Sequence, residues 1–336
     1  MNVLLIGGSG NISPAIAAEL ISTGHDVTVF NRGHHRVEGA RQIIGDRYEA
    51  KAFVQEMHRH TFDCVIDQIC YTQTQAQDLV DAFAGRVRQL VFCSTVNTYI
   101  APAPSYPVTE NTPIGADPRF EYAYQKVLCE HLLSKAAADG AFHLTIVRPG
   151  ATYNDQSTPI SFVGDGRGLL YRIREGKPVI VLGDGSSLWG YAHRDDVGKA
   201  VAHAAGNEKA CGQGYTIASM EVMTWEQIYT TIAEAMGVEP PEYVHVPYAV
   251  LDRLLNEECS WNALNFRFNN IYDCSKAAQD LDYRYTIPWR EGARRILEAH
   301  RTIGDITAAY EHPRYDAMVQ TIKAAYGTIT LREGKA

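Results

Sequence analysis

Along the first 150 positions, short apolar blocks alternate with longer stretches in which apolar residues recur every third or fourth place. Residues 3–6 form an uninterrupted apolar run, short enough for a buried strand. The turn Gly7-Gly8-Ser9-Gly10 follows, and then Ile12, Ile16, Ala17, Leu20 and Ile21 fall at helical spacing. Thr23-Gly24-His25-Asp26 breaks that helix, and residues 27–30 read as a second buried strand. The same alternation continues. A short strand at 42–44 leads into Gly45-Asp46-Arg47, a helix covers 49–59, and a strand covers 64–67. A helix over 74–83, a strand over 89–94, a helix over 121–138 and a strand over 144–147 come next, the last ended by Arg148-Pro149-Gly150. The pattern predicts an α/β fold with a doubly wound parallel sheet over residues 1–150. Over 151–336 the alternation dissolves into a helix near 167–175, a strand at 179–182, a turn at 183–185, a helix near 195–205 and a mostly helical stretch at 288–333. This predicts a smaller mixed α/β C-terminal lobe, with some elements returning to the core. Residues 101–120, rich in proline and polar side chains, are expected to form a long loop.

Open parallel sheets bind ligands beyond the carboxyl ends of their strands. By this reading Gly7–Gly10, Asn31-Arg32, Asp46, Ile69-Cys70-Tyr71 and Ser94-Thr95 all fall at that edge, which predicts one site the size of a dinucleotide. Gly7 and Gly10 keep side chains out of the turn and away from a pyrophosphate, and the helix start behind them offers unpaired N–H groups. On the 121–138 helix, Tyr122 and Lys126 are four residues apart and share a face. An ammonium beside a phenol favours the phenolate, so the pair is expected to bring the tyrosine pKa down toward neutrality.

Composition narrows the classes. A net charge of −8 argues against a general nucleic-acid binder. No apolar stretch reaches membrane-spanning length, and the N-terminal run lacks the basic flank of a signal peptide, so a cytoplasmic protein is expected. Seven cysteines without a C-x-x-C pair fit buried free thiols better than disulfides or zinc, and no metal site is expected.

The motifs together resemble those of the extended short-chain dehydrogenase/reductases, the nucleotide-sugar epimerase and dehydratase type, whose core is a Rossmann-type fold. The glycine pattern is met by Gly7 and Gly10, with Ser13 in the third glycine's place, and Tyr-x-x-x-Lys by Tyr122 and Lys126. The catalytic serine or threonine corresponds to Thr95 in FCSTVNTY, with Ser94 as the adjacent alternative. Arg148-Pro149 and GDGSSLWGYAHRDDV match later motifs. The resemblance implies that Tyr122 shuttles a substrate hydroxyl proton, that Thr95 bonds the same oxygen, and that Lys126 holds the nicotinamide ribose and depresses the Tyr122 pKa. It implies cofactor contacts from Gly7, Gly10, Asn11, Ile12, Asn31, Arg32, Asp46, Cys70, Lys126 and Pro149, Asp46 being matched to the adenine contact. Substrate contacts are expected from Thr95, Tyr153, Asn154 and Trp189.

Where NAD-binding sequences carry an acidic residue at the end of the second strand, this chain has Asn31 followed by Arg32, with His34, His35 and Arg36 nearby. An arginine pairs with a 2′-phosphate and asparagine does not repel it, so NADP(H) is favoured over NAD(H). The acid pair that eliminates water in the 4,6-dehydratases is replaced by Val96 and Asn97, which argues against that chemistry. The late-motif arginine that pairs with a diphosphate corresponds to Trp189, an indole that can stack on a sugar face or simply pack in a core. The expected activity is hydride transfer at a secondary hydroxyl or ketone of a sugar or nucleotide-sugar-like substrate, as an epimerase or as a dehydrogenase/reductase, with Arg167, Arg172, Arg194 or Arg267 able to meet a diphosphate in place of Trp189. Alternatives on the same fold are an RNA-binding protein and a dinucleotide sensor. A homodimer is expected through the 121–138 helix, with Val127, Leu128, Leu132 and residues 136–138 as its apolar surface.

Overall fold

The computed structural model describes residues 1–327 apart from Ser9, Glu258 and Cys259. The chain divides into two compact units. The first comprises Met1–Asn154, Gly190–Glu221 and Ile271–Pro288, and the second comprises Asp155–Trp189, Val222–Asn270 and the chain from Trp289.

In the first unit, β1 (Asn2–Ile6) is followed by α1 (Ser13–Ser22), β2 (Asp26–Asn31), β3 (Arg41–Ile44), α2 (Ala50–Met57), β4 (Cys64–Asp67), α3 (Gln73–Phe83) and β5 (Gln89–Cys93). Then come α4 (Glu121–Ala138), β6 (His143–Pro149), α5 (Arg194–His203), β7 (Gly214–Ile217) and α6 (Ser275–Leu281). The seven strands lie in the order β7-β6-β5-β4-β1-β2-β3 and are parallel throughout. The order reverses between β1 and β4, which opens the crevice where such sheets take ligands.

Strand alternation sends side chains to both faces, and both are covered, which is why these strands read as unbroken apolar runs. Val3 and Leu5 of β1 join a cluster with Ile16, Leu20, Val197, Val201 and Leu281, under α1, α5 and α6. Leu4 and Ile6 join the opposite cluster with Phe53, Leu79, Phe83 and Leu133, under α2, α3 and α4. α1 and α5 cross closely because Gly198 has no side chain, since a Cβ there would stand 2.5 Å from the Ala15 Cβ.

The predicted elements from β1 to β6 are present with ends shifted by a residue or so. Two elements that the pattern did not predict complete the unit. β7 adds a seventh strand beside β6, and α6 covers the sheet face below it. β7 reads Gly-Tyr-Thr-Ile, whose glycine and threonine interrupt the apolar run that marks an equally short strand such as β4.

In the second unit, Val179–Leu182 pairs in parallel with Tyr243–Val246. Helix Trp225–Met236 packs on Trp289–Ile303 and on Gly166–Arg174. Its start is a capping box between Thr224 and Gln227, and its end is Gly237 in the left-handed region at φ 73°. Arg172 is buried here and holds Glu311 and Asp316, each at 2.7 Å. The helical stretch expected over 288–333 resolves into Trp289–Ile303 and Tyr315–Gly327, separated by Gly304 at φ 76° and Pro313. Residues 328–333 of that expectation lie outside the described residues, as do Ser9 of the glycine turn and Cys259.

Candidate active site

A cavity of about 530 Å³ lies in the first unit, lined by Gly7 and Gly10 on one side and by Asn31, Arg32, His34 and His35 at the end of β2. Asp46, Arg47, Ile69 and Tyr71 complete it. The glycines have different reasons to be there. Gly7 adopts φ +112°, where an L side chain is strained, and a Cβ would come within 2.8 Å of Ile69 Cγ2. Gly8 is a packing requirement, because a Cβ would meet Val29 Cγ1 at 2.2 Å. At Gly10 the nearest atom to a Cβ is Ser13 Oγ at 3.8 Å, so the protein's own packing does not demand a glycine. What its bareness leaves is room beside the start of α1, whose N-cap residue Ile12 supplies no side-chain acceptor. That arrangement fits a pyrophosphate.

Asn31 is mostly buried and its amide is occupied. Oδ1 accepts from the Gly33 amide at 2.8 Å and from Gln42 Nε2 at 2.7 Å, while Nδ2 donates to the His35 carbonyl at 3.1 Å. The asparagine therefore shapes the 31–35 loop from which Arg32 reaches the cavity. The Arg32 guanidinium makes no hydrogen bond or ion pair among the described residues. Asp46 caps its own turn by accepting from the Tyr48 amide at 2.9 Å. Asn11 donates to the Thr152 carbonyl at 2.8 Å and accepts from Asn154 Nδ2 at 2.6 Å, so it ties the glycine turn to the segment after β6.

Sequence reasoning passed over Arg47 and Asp67. Arg47 is buried at the cavity, with Nη1 on Asp78 at 3.0 Å, Nη2 on the Gln75 carbonyl, and its guanidinium 4.2 Å from the centre of the Phe53 ring. Asp67, at the end of β4, accepts from the Ile69 and Cys70 amides at 2.7 Å each and so folds the loop that carries Tyr71. Burial pushes its carboxyl pKa up, opposed by the Arg47 charge. The signal was available: an aspartate closing an apolar strand has its backbone neighbours as ready donors.

The catalytic candidates meet where β4, β5 and α4 converge. Thr95 caps the turn Val96–Thr98, its Oγ1 accepting from the Asn97 amide at 3.3 Å, and the Tyr122 phenol is hydrogen-bonded to the same hydroxyl. Ser94 is committed elsewhere. Its Oγ donates to Glu130, which also holds Arg148 in a buried two-pronged pair, Nε to Oε1 at 2.9 Å and Nη2 to Oε2 at 2.7 Å. Of the two hydroxyls, Thr95 is the one that faces the phenol.

Lys126 is 1% exposed and donates to the carbonyls of Cys70 at 2.8 Å and Cys93 at 2.7 Å. This corrects the expected electrostatics. The ammonium is turned toward the strand ends, and the Tyr122 pKa is pushed up to about 12, chiefly by burial and next by Cys93, with the Thr95 hydrogen bond opposing. At neutral pH the phenol is therefore protonated, a proton donor held against a second hydroxyl. Of the expected substrate contacts, Thr95, Tyr153 and Asn154 belong to the first unit and Trp189 to the second. Trp189 is buried among Trp225 and Phe266, ring centres 4.9 and 5.4 Å away, and donates its indole N–H to the Phe268 carbonyl. Six of the seven cysteines are described, and all six are free thiols. Among the described residues no helix is long and apolar enough to cross a membrane.

Comparison with known proteins agrees with this geometry. The model of the NAD dependent epimerase/dehydratase family matches residues 3–218. A 2'-dehydrokanamycin reductase of Streptomyces kanamyceticus is 31% identical over 276 residues, covering 81% of this chain and 77% of that protein. The chloroplast stem-loop binding protein of 41 kDa b of Arabidopsis thaliana is 23% identical over 261 residues, covering 72% of this chain and 65% of that protein. Among solved structures, the UDP-glucose 4-epimerase of Thermotoga maritima with UDP-glucose matches with a TM-score of 0.69 at 20% identity, over 90% of this chain and 99% of that one. The UDP-glucose 4-epimerase of Bifidobacterium longum with NAD+ and UDP matches with a TM-score of 0.69 at 18% identity, over 91% of this chain and 100% of that one. At these identities the structural likeness speaks to the fold. The glycine turn, the Tyr122/Lys126/Thr95 set and the family match agree: the chain belongs to the NAD-dependent epimerase/dehydratase family of extended short-chain dehydrogenase/reductases.

Proposed function

We propose that this protein reduces a ketone on a sugar-like ring with NADPH, Tyr122 donating the proton. The observation that carries this reading is the meeting of two hydroxyls, the Tyr122 phenol hydrogen-bonded to Thr95, where a carbonyl oxygen can accept from both. Reduction of a carbonyl draws on a proton donor at the oxygen, whereas oxidation draws on a base. The similarity to a reductase of an oxidised aminoglycoside supports the same direction. A bound dihydronicotinamide would supply the hydride.

The residues divide the work. Gly7, Gly10 and the start of α1 would take the pyrophosphate, Asp46 the adenine end, Lys126 the nicotinamide ribose, and Asn11, Ile12, Cys70 and Pro149 the remaining contacts. Arg32, without a partner among the described residues and lining the cavity, would take a 2′-phosphate, which favours NADP(H) over NAD(H). Thr95 and Tyr122 would bond the carbonyl oxygen from two sides, orient it and polarise it, and Tyr122 would pass its proton there as charge develops. Tyr153 and Asn154 stand on the same unit as further substrate contacts. Val96 and Asn97 supply no carboxyl group, so elimination of water by an acid pair has no agent at those positions. Trp189, buried against Trp225 and Phe266, is itself no cation for a diphosphate.

A homodimer through α4 belongs to the same proposal. Val127, Leu132, Ala136 and Ala137 turn toward the protein's own core, which leaves half-buried Leu128 and exposed Ala138 as the apolar residues of the expected surface for that contact. Sedimentation at micromolar concentration showing only monomer would remove it. The reaction is tested by following NADPH and NADH absorbance with a panel of keto-sugars and oxidised aminoglycosides. Turnover with NADPH in preference to NADH is expected. Failure of the wild-type protein to bind either dinucleotide would overturn the reading.

A further inference from the structure

Tyr71 is a large aromatic residue left 42% exposed, and it lines the dinucleotide cavity. Its position is fixed from both sides. Asp67 holds the Ile69 and Cys70 amides, and the Tyr71 amide donates to Gln75 Oε1 at 2.7 Å, inside the capping box that starts α3. The Gln73 amide also donates to Gln125 on α4 at 3.2 Å, which ties this corner to the helix that carries Lys126.

The Lys126 ammonium lies over the Tyr71 ring, 4.8 Å from its centre, with Phe92 at 5.0 Å on another side. Two of its three N–H groups are taken by the Cys70 and Cys93 carbonyls. Carbonyl bonds fix the ammonium's distance from the strand ends. A ring face, negative at its centre, adds attraction from the cavity side. Phe92 is buried in the sheet, so Tyr71 is the ring that touches both the ammonium and the cavity.

We infer that Tyr71 is a positioning residue for Lys126: its ring face, and not its hydroxyl, holds the ammonium beside the dinucleotide cavity, so dinucleotide affinity depends on the electron density of the ring at position 71. The inference rests on reading the cavity as a dinucleotide site.

The test replaces Tyr71 by phenylalanine and then by mono-, di- and trifluorinated phenylalanines in the full-length protein. NADPH affinity is measured by titration calorimetry and folding by thermal melting. Tyr71→Phe should bind within about twofold of wild type. Across the fluorinated series Kd should rise stepwise to about three- to tenfold, with an unchanged melting temperature, because each fluorine drains charge from the ring face without changing its shape appreciably. Tyr71→Leu should fall at or beyond the end of the series. A flat fluorinated series, or a loss in Tyr71→Phe as large as in Tyr71→Leu, would overturn the inference while leaving the cavity's assignment standing. Absence of NADPH binding in the wild-type protein would instead overturn the assignment on which it rests.

Discussion

Tyr122 and Lys126 stand one turn apart on α4, yet the phenol bonds the Thr95 hydroxyl while the ammonium bonds the Cys70 and Cys93 carbonyls. The lysine reaches the strand ends, and the tyrosine keeps its proton. The two residues are thus helix neighbours with separate partners, the ammonium on two strand-end carbonyls and the phenol on a hydroxyl.

Thr95 and Ser94 should separate cleanly on substitution. Thr95→Val removes the hydroxyl at the phenol and should lower kcat by about 100–1000-fold, the range of one transition-state hydrogen bond, with a loss of about 0.5–2 kcal/mol of stability from the turn it caps. Ser94→Ala leaves a buried Glu130 oxygen short of a donor and should cost about 1–3 kcal/mol of stability with a smaller kinetic effect. Urea melts and steady-state kinetics on both variants check this. A larger kinetic loss at Ser94 would reverse the assignment.

The raised pKa of Tyr122 sets a pH dependence whose sign is definite. Its folded-state pKa of about 12 lies above the ordinary phenol value of 10.0, so the folded protein keeps this proton after an unfolded chain would release it. Its contribution to stability is full below pH 10 and is lost as pH rises toward 12. Difference absorbance between wild type and Tyr122→Phe should therefore show no tyrosinate from this position below pH 10. An ionisation well below that would mean that Lys126 governs the phenol after all.

Arg32→Ala should weaken NADPH binding by about 1.5–3 kcal/mol, the worth of a charge-assisted contact, and leave NADH almost untouched. Since the guanidinium has no partner among the described residues, melting of the ligand-free protein should not move. Calorimetry with both dinucleotides decides the matter, and equal losses for the two would contradict the preference.

Arg148 and Glu130 form a buried pair whose separation is expensive. Arg148→Met alone should cost about 3–5 kcal/mol because it strands the carboxylate, whereas the double change Arg148→Met/Glu130→Leu should recover part of that loss. Denaturant unfolding of four proteins, wild type, Arg148→Met, Glu130→Leu and the double variant, checks the coupling. Strictly additive costs would show that the two groups do not depend on each other.

β1, β2, β4, β5 and β6 were legible because each carries an apolar run, the mark of strands covered on both faces. β7 and α6 were not, since glycine and threonine interrupt the apolar run of β7 and seven residues are too few for a helical period in α6. Helix Trp225–Met236 was not predicted, although its start at Thr224 and Gln227 and its stop at Gly237 carry capping signals. The positions of Gly7, Asn31 and Asp46 around one cavity followed from the strand-end rule. The direction of the Tyr122 shift did not follow from sequence, because helical spacing gives a shared face but says nothing of burial or of where a lysine's four-carbon stem leads. Arg47 was hidden for a related reason, since its partners Asp78 and Gln75 are distant in the chain, whereas Asp67 was readable from its place at a strand end before its own donors.

The measurement that bears most directly on the account is single-turnover oxidation of NADPH by wild type and Tyr122→Phe with an oxidised aminoglycoside or keto-sugar that the wild type reduces. The account predicts that the variant binds NADPH with near-normal affinity and reduces the ketone at least about a hundredfold more slowly, the lower range of general acid catalysis. A variant that reduces it at the wild-type rate would contradict the claim that Tyr122 is the proton donor.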